Sequence, residues 1–186
     1  MKRYCAKEPI EKTMFKTIPI NYVYMSADIE EKFKAAVNIA GWGKATILTQ
    51  IAQTYGKVNA DYYYQSAELD AEARGMKHHQ GEHFELLANW DELPPYKSER
   101  PIFGPTPLAT ISNPDRSLPR HSFSQFKCSI RNAAILKMAL IVEETNIQIL
   151  MSKMFVWYYS KYWHLYQPQL QSIKQKTISP NLKPLK

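Results

Sequence analysis

A chain of 186 residues with 45% hydrophobic and 22% charged residues holds enough apolar material for one core, or for a small module plus a second unit, which excludes a wholly disordered protein. Lys and Arg outnumber Asp and Glu, 24 to 17, for a net charge of +7. The charge is segregated: residues 1–60 carry +4, residues 61–119 carry −5 and residues 120–186 carry +8, a pattern of two basic ends that suits a polyanionic partner.

In chain order, residues 1–15 read as a loose N-terminal arm, basic but with no apolar run that would make it a secretory signal. In Lys16–Ser26 the run Tyr22-Val23-Tyr24 favours a strand. Alternation places Asn21, Val23 and Met25 on one side and Ile20, Tyr22 and Tyr24 on the other, while Pro19 restricts the strand to an edge or to a start after it. Ser26 or Asp28 then opens a helix with Glu30 and Glu31 in its first turn. Ile29, Phe33, Ala36, Val37 and Ala40 recur at helical spacing. Gly41-Trp42-Gly43 ends that helix, and a second begins near Lys44. Ile47, Leu48, Ile51, Ala52 and Tyr55 form its apolar face, and Gly56 is expected to end it. One strand and two short helices are too little to fold alone. Pairing with the same strand of a second copy would complete the core and cover the strand edge.

Residues 58–119 form an acidic helical and then proline-rich connecting segment. Tyr62–Arg74 is rich in helix formers, with Gly75 as its stop, and a second short helix is expected over about 81–90. Seven prolines between Pro94 and Pro119 predict extended chain. His79 and His83 would share a helix face as metal ligands do, but Gly81 weakens a helix there, so a polar surface loop is expected, with no metal and no cofactor.

Residues 120–170 are predicted to be a long helical region, capped at Ser122 or Ser124. It forms either one helix or two joined near Thr145. Lys137, Glu143 and Glu144 interrupt its apolar run, so no stretch approaches the ~18 residues of a membrane span. Its apolar density exceeds one amphipathic stripe and implies packing in a bundle, an oligomer or against a protein partner. The aromatic run Phe155–Tyr166 is read as packing rather than as a base-stacking surface. In the basic tail, residues 171–186, Lys174, Lys176, Lys183 and Lys186 could add non-specific phosphate contacts. Cys5 and Cys128 have no disulfide or zinc spacing, which suits the reducing cytoplasm. No nucleophile–base pair stands out, so catalysis is not expected, and no internal repeat is evident.

Ser26–Gly41 resembles the strand end and first helix of the ribbon-helix-helix DNA-binding family, and Gly41–Tyr55 is similar to that family's turn and second helix. The resemblance covers residues 16–57 only. It implies a mainly α fold, a dimeric ribbon-helix-helix module joined to the helical C-terminal region, and a homodimer or higher oligomer whose two-stranded ribbon lies in the major groove of duplex DNA. By position Ile20, Tyr22 and Tyr24 would face the bases, where the family favours Arg, Lys, Thr, Asn or Gln. The start of the second helix, Gly43, Lys44, Ala45 and Thr46, would anchor phosphate. The expected function is that of a DNA-binding transcriptional regulator or plasmid or mobile-element accessory factor. The alternative is a non-enzymatic architectural subunit of a large protein or nucleoprotein assembly.

Overall fold

A computed structural model describes residues 15–73, Gly75, Leu87 and 104–178, with side chains as far as Ile173. The fold is mainly helical, with short antiparallel strands. Strands β1 (Phe15–Pro19) and β2 (Tyr22–Tyr24) lead into helices α1 (Ala27–Ala40), α2 (Lys44–Val58) and α3 (Ala60–Ala73). Later in the chain, β3 (Arg120–Ser122) and β4 (Gln125–Ser129) lead into α4 (Ile130–Val142) and α5 (Ile147–Tyr162). A short 3-10 turn (Trp163–Leu165) and α6 (Gln167–Ile178) follow. Among the described residues no helix is long and apolar enough to cross a membrane.

The strand expected to pair with a second copy pairs within its own chain. β1 lies antiparallel to β4, from Phe15↔Ser129 to Pro19↔Gln125, and β2 lies antiparallel to β3, from Tyr22↔Ser122 to Tyr24↔Arg120. One register runs through both ladders. Between them the Ile20 N–H donates to the Ser124 carbonyl and the Phe123 N–H to the Asn21 carbonyl. Beyond them the Met25 N–H donates to the Pro119 carbonyl. Residues 15–25 and 119–129 therefore form a single two-stranded ribbon. The expectation of helix from residue 120 is corrected accordingly. Gln125-Phe126-Lys127-Cys128-Ser129 alternates exposed and buried side chains, the period of a half-buried strand. The helix cap is Ser129, whose hydroxyl accepts from the Asn132 N–H, not Ser122 or Ser124.

The two halves of the ribbon begin two copies of one arrangement, strand–helix–helix–helix, displaced by 103 residues. Ser26 caps α1 and Ser129 caps α4. Gly41, in the left-handed region at φ 64°, follows α1, and Glu144, at φ 49°, follows α4. Helices α2 and α5 start at Lys44 and Ile147, again 103 positions apart. The phenols of Tyr55 and Tyr63 are hydrogen-bonded to each other, as are those of their counterparts Tyr158 and Tyr166, at 2.9 Å for the second pair. Packing is crossed: α2 lies on β4 and α5 on β2, while α3 lies on α4 and α6 on α1. The centre of this two-fold relation falls between Ile20 and Asn21 on one strand and Phe123 and Ser124 on the other, where the two ladders meet.

The core lies beneath the ribbon and between the two helical sets. Ile47, Leu48, Ile51 and Tyr55 of α2 are buried against Leu150, Met151, Met154 and Tyr158 at the equivalent positions of α5. Each fully buried aliphatic side chain contributes about 1.5–3 kcal/mol, so neither set is a stable half without the other. The apolar run after Ser129 is split into two helices at Glu143–Asn146 and is buried on several sides by α2, α3 and the ribbon. Gly56 does not end α2 but lies inside it, where the helix meets Asn132 of α4. The Gly75 stop is found, at φ 70° after α3. In the proline-rich segment Leu108 is buried. The helix expected over 81–90, apart from helical Leu87, lies outside the described residues, as do Lys183, Lys186, His79 and His83.

Candidate nucleic-acid interface

The ribbon has an inner face, with Ile18, Val23, Met25, Phe126 and Cys128 buried, and an outer face. Because paired residues of antiparallel strands lie on one face, the outer face consists of Phe15 opposite Ser129, Thr17 opposite Lys127, Pro19 opposite Gln125, Tyr22 opposite Ser122 and Tyr24 opposite Arg120. The alternation expected for Ile20, Tyr22 and Tyr24 is thus broken at the centre. Ile20 is 1% exposed and belongs to the core, because the irregular step between the two ladders reverses the phase of the strand. Tyr22 and Tyr24 remain on the outer face.

At one end of this face the Tyr22 and Tyr24 rings meet edge-on, 5.2 Å apart. The Arg120 guanidinium lies 5.0 Å from the first ring and 5.6 Å from the second, a cation–π arrangement. The hydrogen bond between the phenols holds Tyr22 above and Tyr24 below the ordinary tyrosine value, with Arg120 adding to the lowering of Tyr24. Tyr24 is covered to 6% exposure. At the other end, Thr17, Gln125 and Lys127 are exposed. Among the described residues, the Gln125 amide and the Lys127 ammonium have no side-chain partner. Sequence reasoning missed Arg120, Ser122, Gln125 and Lys127, because residues 120–129 were read as helix. The signal that could have found them is the alternation around Phe126 and Cys128.

Gly43, Lys44, Ala45 and Thr46 are all exposed at the start of α2. Gly43 is the N-cap, and no side chain caps this end; the Thr46 N–H donates back to the Gly43 carbonyl at 3.0 Å, which leaves the Lys44 and Ala45 amides without an intrahelical partner. The helix is tied to the ribbon by Thr49, whose hydroxyl donates to the Lys127 carbonyl at 3.0 Å. The equivalent start of α5 differs. Asn146 caps it through its side chain, accepting from the Ile149 N–H at 3.0 Å, and Glu143 and Glu144 precede it. That end is closed and acidic, whereas the Gly43 end is open and carries Lys44.

The other sequence candidates fall elsewhere. Phe155, Trp157, Tyr158 and Tyr159 are buried, so these rings pack in the core. Cys128 is buried on the inner face of the ribbon, its thiol pushed up to about 12 by burial, which keeps it protonated and unreactive. His121 lies 3.7 Å from Glu30. Among the described residues no group of His, Cys, Asp and Glu could hold a metal ion. Lys174 and Lys176 lie on α6, whose side chains are described only as far as Ile173. No protein-family model, curated protein or solved structure matches this chain.

Proposed function

We propose that this chain is a ribbon-helix-helix protein carrying both halves of the usual dimer on one polypeptide, and that it binds duplex DNA with its ribbon in the major groove. The observation that carries this reading is the unbroken register of residues 15–25 against 119–129, with Ser26 and Ser129 capping the first helix of each half. A two-stranded ribbon fits the width of the major groove. Its outer face presents Arg120, Gln125 and Lys127, donors of the kind that contact base edges and phosphates, on a chain of net charge +7. The open start of α2 at Gly43–Thr46 suits a phosphate beside the groove. One copy supplies the complete ribbon, so a second is not needed to form it. A regulator or an accessory factor of mobile DNA is the role that such a module would serve, by binding rather than by catalysis.

A filter-binding titration on duplex DNA at 50 and 200 mM salt tests the proposal, with stoichiometry read from light scattering of the complex. The expected result is one chain per site and an affinity that falls by tenfold or more over that range, because cations on the protein displace condensed counterions. Salt-insensitive or absent binding would reject it and leave the architectural-subunit reading.

A further inference from the structure

The two ends of the outer face are related by the 103-residue displacement, yet they do not carry equivalent chemistry. Gln125 and Lys127 stand where the other end has Tyr22 and Tyr24, and Thr17 and Pro19 stand where it has Arg120 and Ser122. We infer that sequence reading is confined to one end of the ribbon, with Gln125 and Lys127 as the specificity-determining residues and an asymmetric, non-palindromic duplex as the target. The inference rests on the DNA-binding reading above and deepens it.

The physical argument is one of free donors. Gln can make a bidentate contact to the N6 and N7 of adenine, and Lys can donate to the O6 and N7 of guanine. Among the described residues neither side chain has a partner; both are exposed and project from the same face of β4, two residues apart. Directly across the ladder stand Pro19 and Thr17, which carry neither an aromatic ring nor a charge, and the exposed Phe15 is the diagonal neighbour of Lys127. At the other end, the Tyr22 and Tyr24 rings meet edge-on, and Arg120 is stacked on both. A phenol makes single rather than bidentate contacts. A guanidinium held over two rings keeps its outward edge for phosphate, which positions the protein without reading sequence. A symmetric dimer would offer the same residues at both ends and select a palindrome; this chain offers different ones.

The test is selection of binding duplexes from a randomised pool with the full-length protein, followed by titration of variants on the enriched and on a scrambled duplex. The expected target has its base preference in one half only. Gln125→Ala and Lys127→Ala should each lower the ratio of enriched to scrambled affinity roughly tenfold, with thermal melts confirming that the fold is intact. Tyr22→Phe and Ser122→Ala should leave the ratio within twofold. A palindromic enriched site overturns the inference, as does a loss of discrimination in Tyr22→Phe equal to that in Gln125→Ala. Salt-dependent binding without any base preference overturns it while leaving the DNA-binding reading in place. Absence of salt-dependent binding by the unmodified protein removes both.

Discussion

The first unit, residues 15–73, and the second, residues 120–178, share element order, the serine cap of the first helix and burial but differ in how each secures its helices. In the first unit the turn after α1 is Gly41-Trp42-Gly43, exposed and of low charge, and the Gln50 amide of α2 donates to the Tyr158 hydroxyl at 3.3 Å. In the second unit the position equivalent to Gln50 is Lys153, which is bonded to Glu143 at 2.7 Å with both side chains nearly buried, at 8% and 6% exposure. Glu143 in turn occupies the position of Ala40. The same backbone plan is thus closed by a neutral hydrogen bond on one side and by a buried ion pair on the other. The difference separates what the fold requires, which is the shared burial pattern, from what each unit adds. The additions lie at turns and interfaces, where side chains can diverge without moving the strands.

The largest test of that contrast is removal of one partner of the ion pair. Lys153→Ala should cost about 3–5 kcal/mol in urea unfolding, because it leaves the Glu143 carboxylate buried without its cation. The double variant Glu143→Gln with Lys153→Met, which removes both charges, should recover most of that loss. Gln50→Ala, the counterpart in the first unit, should cost under about 1.5 kcal/mol, since its bond is neutral and only part-buried. Equal losses at the two positions would mean that the ion pair adds nothing beyond a hydrogen bond.

A smaller effect is expected where the units touch. A Cβ built on Gly56 would lie 1.9 Å from Oδ1 of Asn132, so the Asn132 side chain of α4 occupies the space that this position of α2 leaves open. Gly56→Ala should lower stability by about 1–3 kcal/mol through overpacking, although alanine is the better helix former by about 1 kcal/mol. Adding Asn132→Ala should reverse the sign and leave a variant at least as stable as the parent, because the Asn132 amide nitrogen is buried without a hydrogen-bond partner. The equivalent residues in the other half are Tyr159 and Ile29, both buried. There a large side chain fills the space that Gly56 leaves to Asn132. Calorimetric melts of the two single variants and the double variant give the coupling directly.

The first unit was legible in the sequence in its order of strand and helices, apart from the end of α2, which runs past Gly56 to Val58. Ser26, the 3-to-4 spacing of Ile29, Phe33 and Ala36, and the glycine turn each leave a local signature, and Gly75 marked the stop of α3. The second unit was not, for a physical reason. Its strand runs directly into an apolar helix, so the alternation of five residues is masked by the density from Ala133 to Val142. Its turn uses Glu144 in place of Gly41. Across the displacement of 103 residues the identical pairs include Ser26 and Ser129, Ala36 and Ala139, Tyr55 and Tyr158, and Tyr63 and Tyr166, too few to stand out as a repeat. Burial is conserved where identity is not, as at Met25 and Cys128 or Ala52 and Phe155. The outer face was half legible: Tyr22 and Tyr24 were placed on it, but Ile20 was not excluded, because the phase reversal at the centre of the ribbon depends on the opposing strand.

The finest test concerns the hydroxyls that tie each second helix to the opposite strand. Thr49 and Ser152 are equivalent, as are their targets Lys127 and Tyr24. The Thr49 hydroxyl donates to the Lys127 carbonyl, whereas the Ser152 hydroxyl accepts from the Tyr24 N–H at 2.9 Å while donating to the Gln148 carbonyl at 2.7 Å. The Tyr24 amide is buried, and no ladder partner replaces Ser152 on that edge, so Ser152→Ala leaves a donor unmet at a cost of about 1–3 kcal/mol. The Lys127 bond is exposed and water can take the place of Thr49, so Thr49→Ala should change stability by no more than about 0.5 kcal/mol. Amide hydrogen exchange makes the distinction local. Tyr24 should lose protection in Ser152→Ala and keep it in Thr49→Ala. Loss of Tyr24 protection in both variants would instead mean that the ribbon opens as one unit, and that the two crossed ties are equivalent in energy as well as in position.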